Sequence, residues 1–228
     1  MCGRITQTKE MKRYAKRLGF DPQLLIDFPE EAINNYNCSP GAPHWTMRLH
    51  DGMLVAEEIK WHWLSSWAKK KGMTPAINAK LEKLLTPYYR GLMKQGRIIV
   101  PADGWYERIK SGNERIPWYI KPKSGEELFL AALTDHEPGQ PDTPGVGFVI
   151  VTNETAGGMV DIHDRRPLAL TAEDAALWMD LSFSYEQAEQ VARQSALTSE
   201  SFDWYQVSKD VNGHKYRDDH LIQPVEPA

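Results

Sequence analysis

The spacing of apolar and polar residues along the chain changes period twice. Near the start Met11, Tyr14, Ala15 and Leu18 recur at helical spacing, which predicts a first helix from about Thr8 to Leu18, capped by Thr8 and ended by Gly19. The middle of the chain follows another rule. "WTMRLH" and "MLVAEEIK" flank Asp51-Gly52, which predicts a type I′ hairpin, because both central positions of that turn need positive φ. Short apolar runs at "RIIV", "WYERI", "PWYIK", "ELFLAAL" and "VGFVIVT" predict further strands. Helical spacing returns in "TAEDAALWM", which starts on Thr171, and in "SYEQAEQVARQ", which starts on Ser184. Strands in the middle, helices at both ends and no regular βαβ alternation predict an α+β fold. It is expected as one domain with a curled, barrel-like, mainly antiparallel sheet flanked by helices. "EPGQPDTPG", Glu137 to Gly145, reads as a loop within that domain, and the Pro-containing end from about residue 222 as a tail.

Composition narrows the class. The chain has 228 residues, 41% of them hydrophobic, enough to build a proper core. No apolar run approaches the roughly 20 residues of a membrane span, and the start lacks a secretory layout, so a cytoplasmic protein is expected. The two cysteines, Cys2 and Cys38, read as thiols, and with no CxxC or HxxxH spacing neither a metal nor a cofactor is expected. The net charge of −4 conceals a segregation, because Lys60 to Lys123 carry 14 Lys/Arg against four acids. Interleaved with them are Trp61, Trp63, Trp67, Tyr88, Tyr89, Trp105, Tyr106, Trp118 and Tyr119. Cations for phosphates and rings for bases are the equipment of a single-strand binder. The competing reading puts the charges on a solvated face and the tryptophans in the core.

Five short stretches carry candidate chemistry. The chain opens "MCGRIT", so removal of Met1 leaves Cys2 with an α-amine and a β-thiol on neighbouring carbons. An α-amine titrates near ~7.7–8.0 and is partly neutral at neutral pH, unlike a lysine amine near ~10.4. Such an amine condenses with an aldehyde, and the thiol then closes a five-membered thiazolidine. In "YNCSPGAP" Asn37 precedes a Pro-Gly turn, where an amide ordinarily satisfies backbone. In "PAINAK" Asn78 sits among apolar residues and must be hydrogen-bonded, whether to the N-terminus or to a substrate oxygen. In "VPADGWYE" Asp103-Gly104 reads as a turn, after which Trp105 and Glu107 share one strand face; a carboxyl beside tryptophan is poorly solvated and its pKa rises. In "VDIHDRRPL" His163 lies between Asp161 and Asp164 and is followed by Arg165 and Arg166, a titrating imidazole next to cations suited to phosphate.

Taken in order, "MCGR", "YNCSPG", "INAK.E", "VPADGWYE", "VDIHDRRP" and "VSKDVN" resemble the SRAP (SOS response-associated peptidase) family from Cys2 to about Val225. The resemblance implies a single α+β domain with a basic groove. It also implies covalent capture of abasic sites in single-stranded DNA through Cys2, with Asn78, Glu107 and His163 at the other active-site positions. By the same resemblance Arg4, Asn37, Trp67, Lys80, Arg90, Thr152 and Arg165 are DNA-binding positions, and a monomer working beside the replication machinery is expected. The chain departs from the family pattern at Lys80, where an arginine is usual, at His62, commonly glycine, and at Arg108, where an aromatic often follows the glutamate. Two other classes remain: an N-terminal-nucleophile amidohydrolase that removes its own Met1, and a non-catalytic single-strand binding module.

Overall fold

The computed structural model describes residues 2–21, 28–141, 143–155, 157, 159 and 162–225. In chain order the first strands are β1 (Ile5–Gln7), β2 (Asn35–Cys38), β3 (Pro43–His50), β4 (Met53–Lys60), β5 (Asn78–Lys80) and β6 (Arg97–Ala102). They are followed by β7 (Gly104–Ser111), β8 (Glu114–Pro122), β9 (Leu128–Thr134), β10 (Phe148–Glu154), β11 (Arg165–Pro167), β12 (Ala169–Leu170) and β13 (Phe202–Gln206). The helices are α1 (Met11–Arg17), α2 (Ser66–Lys70), α3 (Arg90–Gln95), α4 (Ala172–Met179) and α5 (Tyr185–Ser195). The smaller sheet runs β13-β8-β7-β1-β2; the larger runs β11-β10-β9-β6-β3-β4, with β12 on β9 and β5 on β10. All named pairs are antiparallel except β5 with β10. The mixed α+β class is therefore as expected, but both sheets stay open at their ends instead of closing into a barrel.

The uninterrupted apolar runs lie where both faces of a strand are covered. Leu128, Leu130 and Ala132 of β9 face the smaller sheet, whereas Phe129, Ala131 and Leu133 face the helices. Ile98 and Val100 against Ile99, and Phe148 and Ile150 against Val149 and Val151, repeat that alternation in β6 and β10. Onto the outer side of the larger sheet pack Met11, Tyr14 and Ala15 of α1, Trp178 and Met179 of α4, and Ala188 and Ala192 of α5. The Asp51-Gly52 hairpin forms as predicted, with φ of 50° and 76°. Thr171 and Ser184 cap α4 and α5, and Ser184 completes a capping box with Gln187.

Three expectations are corrected. Thr8 does not cap α1: its hydroxyl donates to Asp103 at 2.8 Å, and the helix starts at Met11 behind Glu10 without a side-chain cap. The segment from 222 to 225 is not a free tail. Val225 donates to the Gln206 carbonyl at 3.0 Å, and with Leu221 and Val211 the end of the chain covers Tyr106 and Tyr119 on the outer face of the smaller sheet. The basic, aromatic stretch is not one binding face either. Trp61, Trp63, Trp105, Tyr106 and Tyr119 are buried, and Arg97 spends its guanidinium on the carbonyls of Met93, Trp178, Asp180 and Phe183 at the ends of α3 and α4.

Candidate active site

The site is assembled by β7. At its entry Asp103 is not a solvated turn residue; it accepts from the Thr8 amide at 2.8 Å and from the Tyr14 hydroxyl at 3.0 Å. Gly104 is required by close approach, since a Cβ there would stand 2.5 Å from the Ile120 carbonyl and the Tyr119 ring of β8. Alternation along β7 then carries Trp105 into the core between the sheets and Glu107 after it, while Tyr106 points to the outer cluster. Glu107 is 5% exposed, and burial raises its carboxyl to about 7. The positive amino terminus of the chain and Arg108 oppose that rise, and Asp164 adds to it.

Cys2 is fully buried beside it. Burial first, and then the charge of Glu107, push its thiol far above the usual range, so the sulfur is held as the neutral thiol. Asn78 reaches Cys2 because β5 runs parallel to β10, with Asn78 opposite Ile150; its Nδ2 donates to the Cys2 carbonyl at 2.8 Å. The Oδ1 of the same amide is buried and accepts from no described residue. His163 stands at the exit of the loop before β11, where burial lowers its pKa. The Arg165 amide donates to His163 Nδ1 at 2.9 Å. Asp164 Oδ1 lies 2.8 Å from the same Nδ1. Asp161, the other aspartate of that stretch, lies outside the described residues. The charge of the chain's amino terminus thus acts on Cys2, Glu107 and His163, and that of Glu107 on Cys2. Such a set can move protons at neutral pH while an amine attacks a carbonyl.

The expected DNA-binding positions divide. Trp67 on α2 is 58% exposed, with Lys69, Lys70 and Lys71 exposed after it, and Lys80 is exposed at the end of β5. Arg165 is committed: it makes a two-pronged ion pair with Glu82 at 2.9 and 3.0 Å and donates to the Thr152 carbonyl at 2.7 Å. Thr152 is itself buried and opposes Lys80 across β5 and β10. Arg90 is exposed on α3, near Tyr185 of α5 on the helical side, and no described contact joins it to Cys2. Asn37 holds distant backbone, donating to the carbonyls of Gly213 at 3.1 Å and Tyr216 at 2.9 Å, and its Oδ1 accepts from Arg4 Nη1. Sequence reasoning assigned no role to Asn212, although it closes the "VSKDVN" stretch; its carbonyl accepts from Arg4 and its side chain from Arg108.

Known proteins resemble the chain over nearly its whole length. Abasic site processing protein YedK of Escherichia coli (strain K12) is 34% identical over 226 residues, covering 99% of this chain and 100% of that protein. Abasic site processing protein HMCES of Pongo abelii is 25% identical, covering 87% of this chain and 67% of that protein. Among solved structures, a phage-related protein from Bordetella bronchiseptica superposes with a TM-score of 0.75 at 34% identity, covering 91% of this chain and 95% of that one. A Bacteroides thetaiotaomicron protein at 20% identity, covering 99% of this chain and 100% of that one, shares the fold with a TM-score of 0.76. The family model for SOS response associated peptidase (SRAP) matches residues 1–214. Matched by that model over most of its length and 34% identical to YedK over 226 residues, the chain belongs to the SRAP family.

Proposed function

We propose that this protein recognises abasic sites in single-stranded DNA and captures them covalently through Cys2 after removal of Met1. The observation that carries the reading is Cys2 held by Asn78 against a buried Glu107 that titrates at about 7. Names given to the family's relatives, abasic site processing proteins, support the same substrate. In the reaction the α-amine adds to C1′ of the open sugar, a proton leaves nitrogen, and the carbinolamine loses water to give an imine. The thiol then adds across the C=N bond: sulfur bonds to carbon and its proton passes to nitrogen, closing the thiazolidine. Glu107 is the shuttle for these transfers, taking the proton from nitrogen or sulfur and returning it to the departing hydroxyl or to the ring nitrogen. His163, whose pKa burial lowers, assists the earlier opening of the closed sugar to the aldehyde. Asn78 fixes the backbone that bears the amine.

The test is a denaturing gel and intact mass with Met1-free protein and an oligonucleotide holding one abasic site. The expected product has the mass of both partners less one water. Absence of that adduct would overturn the reading in favour of a hydrolase or a simple binding module. Cys2→Ser should lose the stable adduct and retain at most a reversible imine, and one extra residue ahead of Cys2 should abolish both. His163→Ala should slow capture of the abasic site while leaving reaction with a small open aldehyde nearly unchanged. Equal slowing of the two would remove the ring-opening role.

A further inference from the structure

Two guanidiniums, those of Arg4 and Arg108, converge on Asn212. Arg4 is 5% exposed; its Nη1 donates to Asn37 Oδ1 and its Nη2 to the Asn212 carbonyl at 3.3 Å. Arg108 is half-buried, and its Nε donates to Asn212 Oδ1 at 2.5 Å. Asn212 is in turn fixed, because its Nδ2 donates to the Arg115 carbonyl at 3.1 Å and it closes the 3-10 turn Lys209–Asn212 behind Ser208. One residue thus clamps both arginines. Among the described residues neither guanidinium forms an ion pair and the Nη groups of Arg108 make no hydrogen bond, while the acid that acts most on Arg108 is its neighbour Glu107. The two cations oppose each other: after burial, the charge of Arg108 is the next cause that lowers Arg4, to about 10. Arg108 also acts on Cys2 and Glu107.

Glu107, raised to about 7, is only partly ionised at neutral pH and so is a weak counter-ion for two cations, an arrangement that a bound anion would complete. A guanidinium gripped only at Nε keeps its planar Nη fork available, and that fork matches two oxygens of a phosphate. We propose that Arg108, clamped by Asn212 beside Arg4, binds the DNA phosphodiester next to the captured sugar and so positions the aldehyde over Cys2. This rests on the capture reading above. Arg108 is here a substrate-binding residue, and Asn212 a positioning residue that acts through it.

The experiment measures single-turnover capture of abasic oligonucleotides whose flanking phosphate, on one side or the other, is either native or a neutral methylphosphonate. Wild type, Arg108→Met and Arg108→Lys are compared, with a small free aldehyde as a substrate that has no phosphate. Loss of a charge-assisted contact should slow capture by Arg108→Met about 10- to 100-fold, well beyond the change seen with the free aldehyde, which reads the influence of Arg108 on Glu107 alone. A methylphosphonate on one side should slow wild type to a similar degree and slow Arg108→Met no further. Arg108→Lys should recover part of the rate, and Asn212→Ala should lose part of it. Capture by Arg108→Met at the wild-type rate overturns the proposal, as does equal slowing with the free aldehyde or insensitivity of wild type to methylphosphonate on both sides. Adduct formation by wild type on the native oligonucleotide is scored in the same series; if it fails, the capture reading itself has failed, which is a separate result.

Discussion

Glu107 shows how one residue couples the site to the fold. Burial raises its carboxyl from the ordinary 4.5 to about 7, so the folded protein holds a proton that the unfolded chain releases. The sign follows from linkage: this group's contribution to stability is fully present below about pH 4.5 and is lost as pH rises through about 7. Glutamine has no proton to lose. Denaturant unfolding should therefore show Glu107→Gln gaining on wild type from pH 4 to 8, by on the order of 3 kcal/mol, while its capture rate loses the rise through neutral pH. A stability difference that does not change with pH would contradict the buried titration. This residue was legible in the sequence because alternation from Trp105 needs only three positions. The setting of Arg4 was not, because its partners Asn37 and Asn212 lie 33 and 208 residues away.

Elements defined by local chemistry were legible, and those defined by distant pairing were not. The Asp51-Gly52 hairpin and the starts at Thr171 and Ser184 depend on φ angles and hydroxyls within a few residues. Thr8 offers the same hydroxyl, but Asp103 takes it from 95 residues away, so the cap fails. The strands β1, β2, β5, β11, β12 and β13 have two to five residues each and exist only because neighbouring strands supply their partners. The short helices α2 and α3 also went unread, although Ser65 caps α2 by accepting from the Ala68 amide; five and six residues are too few to show a helical period. Two substitutions separate local from long-range support. Ser184→Ala removes the capping box of α5 and should cost about 1 kcal/mol, or about 2–4 °C in Tm, with capture unchanged. Gly104→Ala should do far more, because the added methyl meets the backbone and ring of β8 at 2.5 Å. It should lower both stability and capture, since β7 carries Glu107. Little change in either would show that β7 and β8 can separate there.

Across the whole molecule, charge and aromatic residues sort by layer rather than by stretch of sequence. Composition cannot tell a tryptophan that joins two sheets from one on a surface helix; Trp61 and Trp63 are core, whereas Trp67 is 58% exposed beside three lysines. Trp67→Ala should weaken binding of undamaged single strands by about 1–3 kcal/mol with an unchanged Tm, and the affinity should fall steeply with salt. Trp63→Ala should instead lower stability by about 3–5 kcal/mol. Normal strand binding by Trp67→Ala would return that ring to an ordinary surface residue. The clamp of Asn212 on Arg4 joins residues 208 positions apart in the sequence. On a ribosome, Arg4 therefore emerges well before the partner that holds it has been made. Cys2 is likewise enclosed by strands made later, since it shares a core cluster with Trp105, Ile150 and Phe202. A thiol reagent should therefore reach Cys2 far faster in the unfolded chain than in the folded one, where it is fully buried.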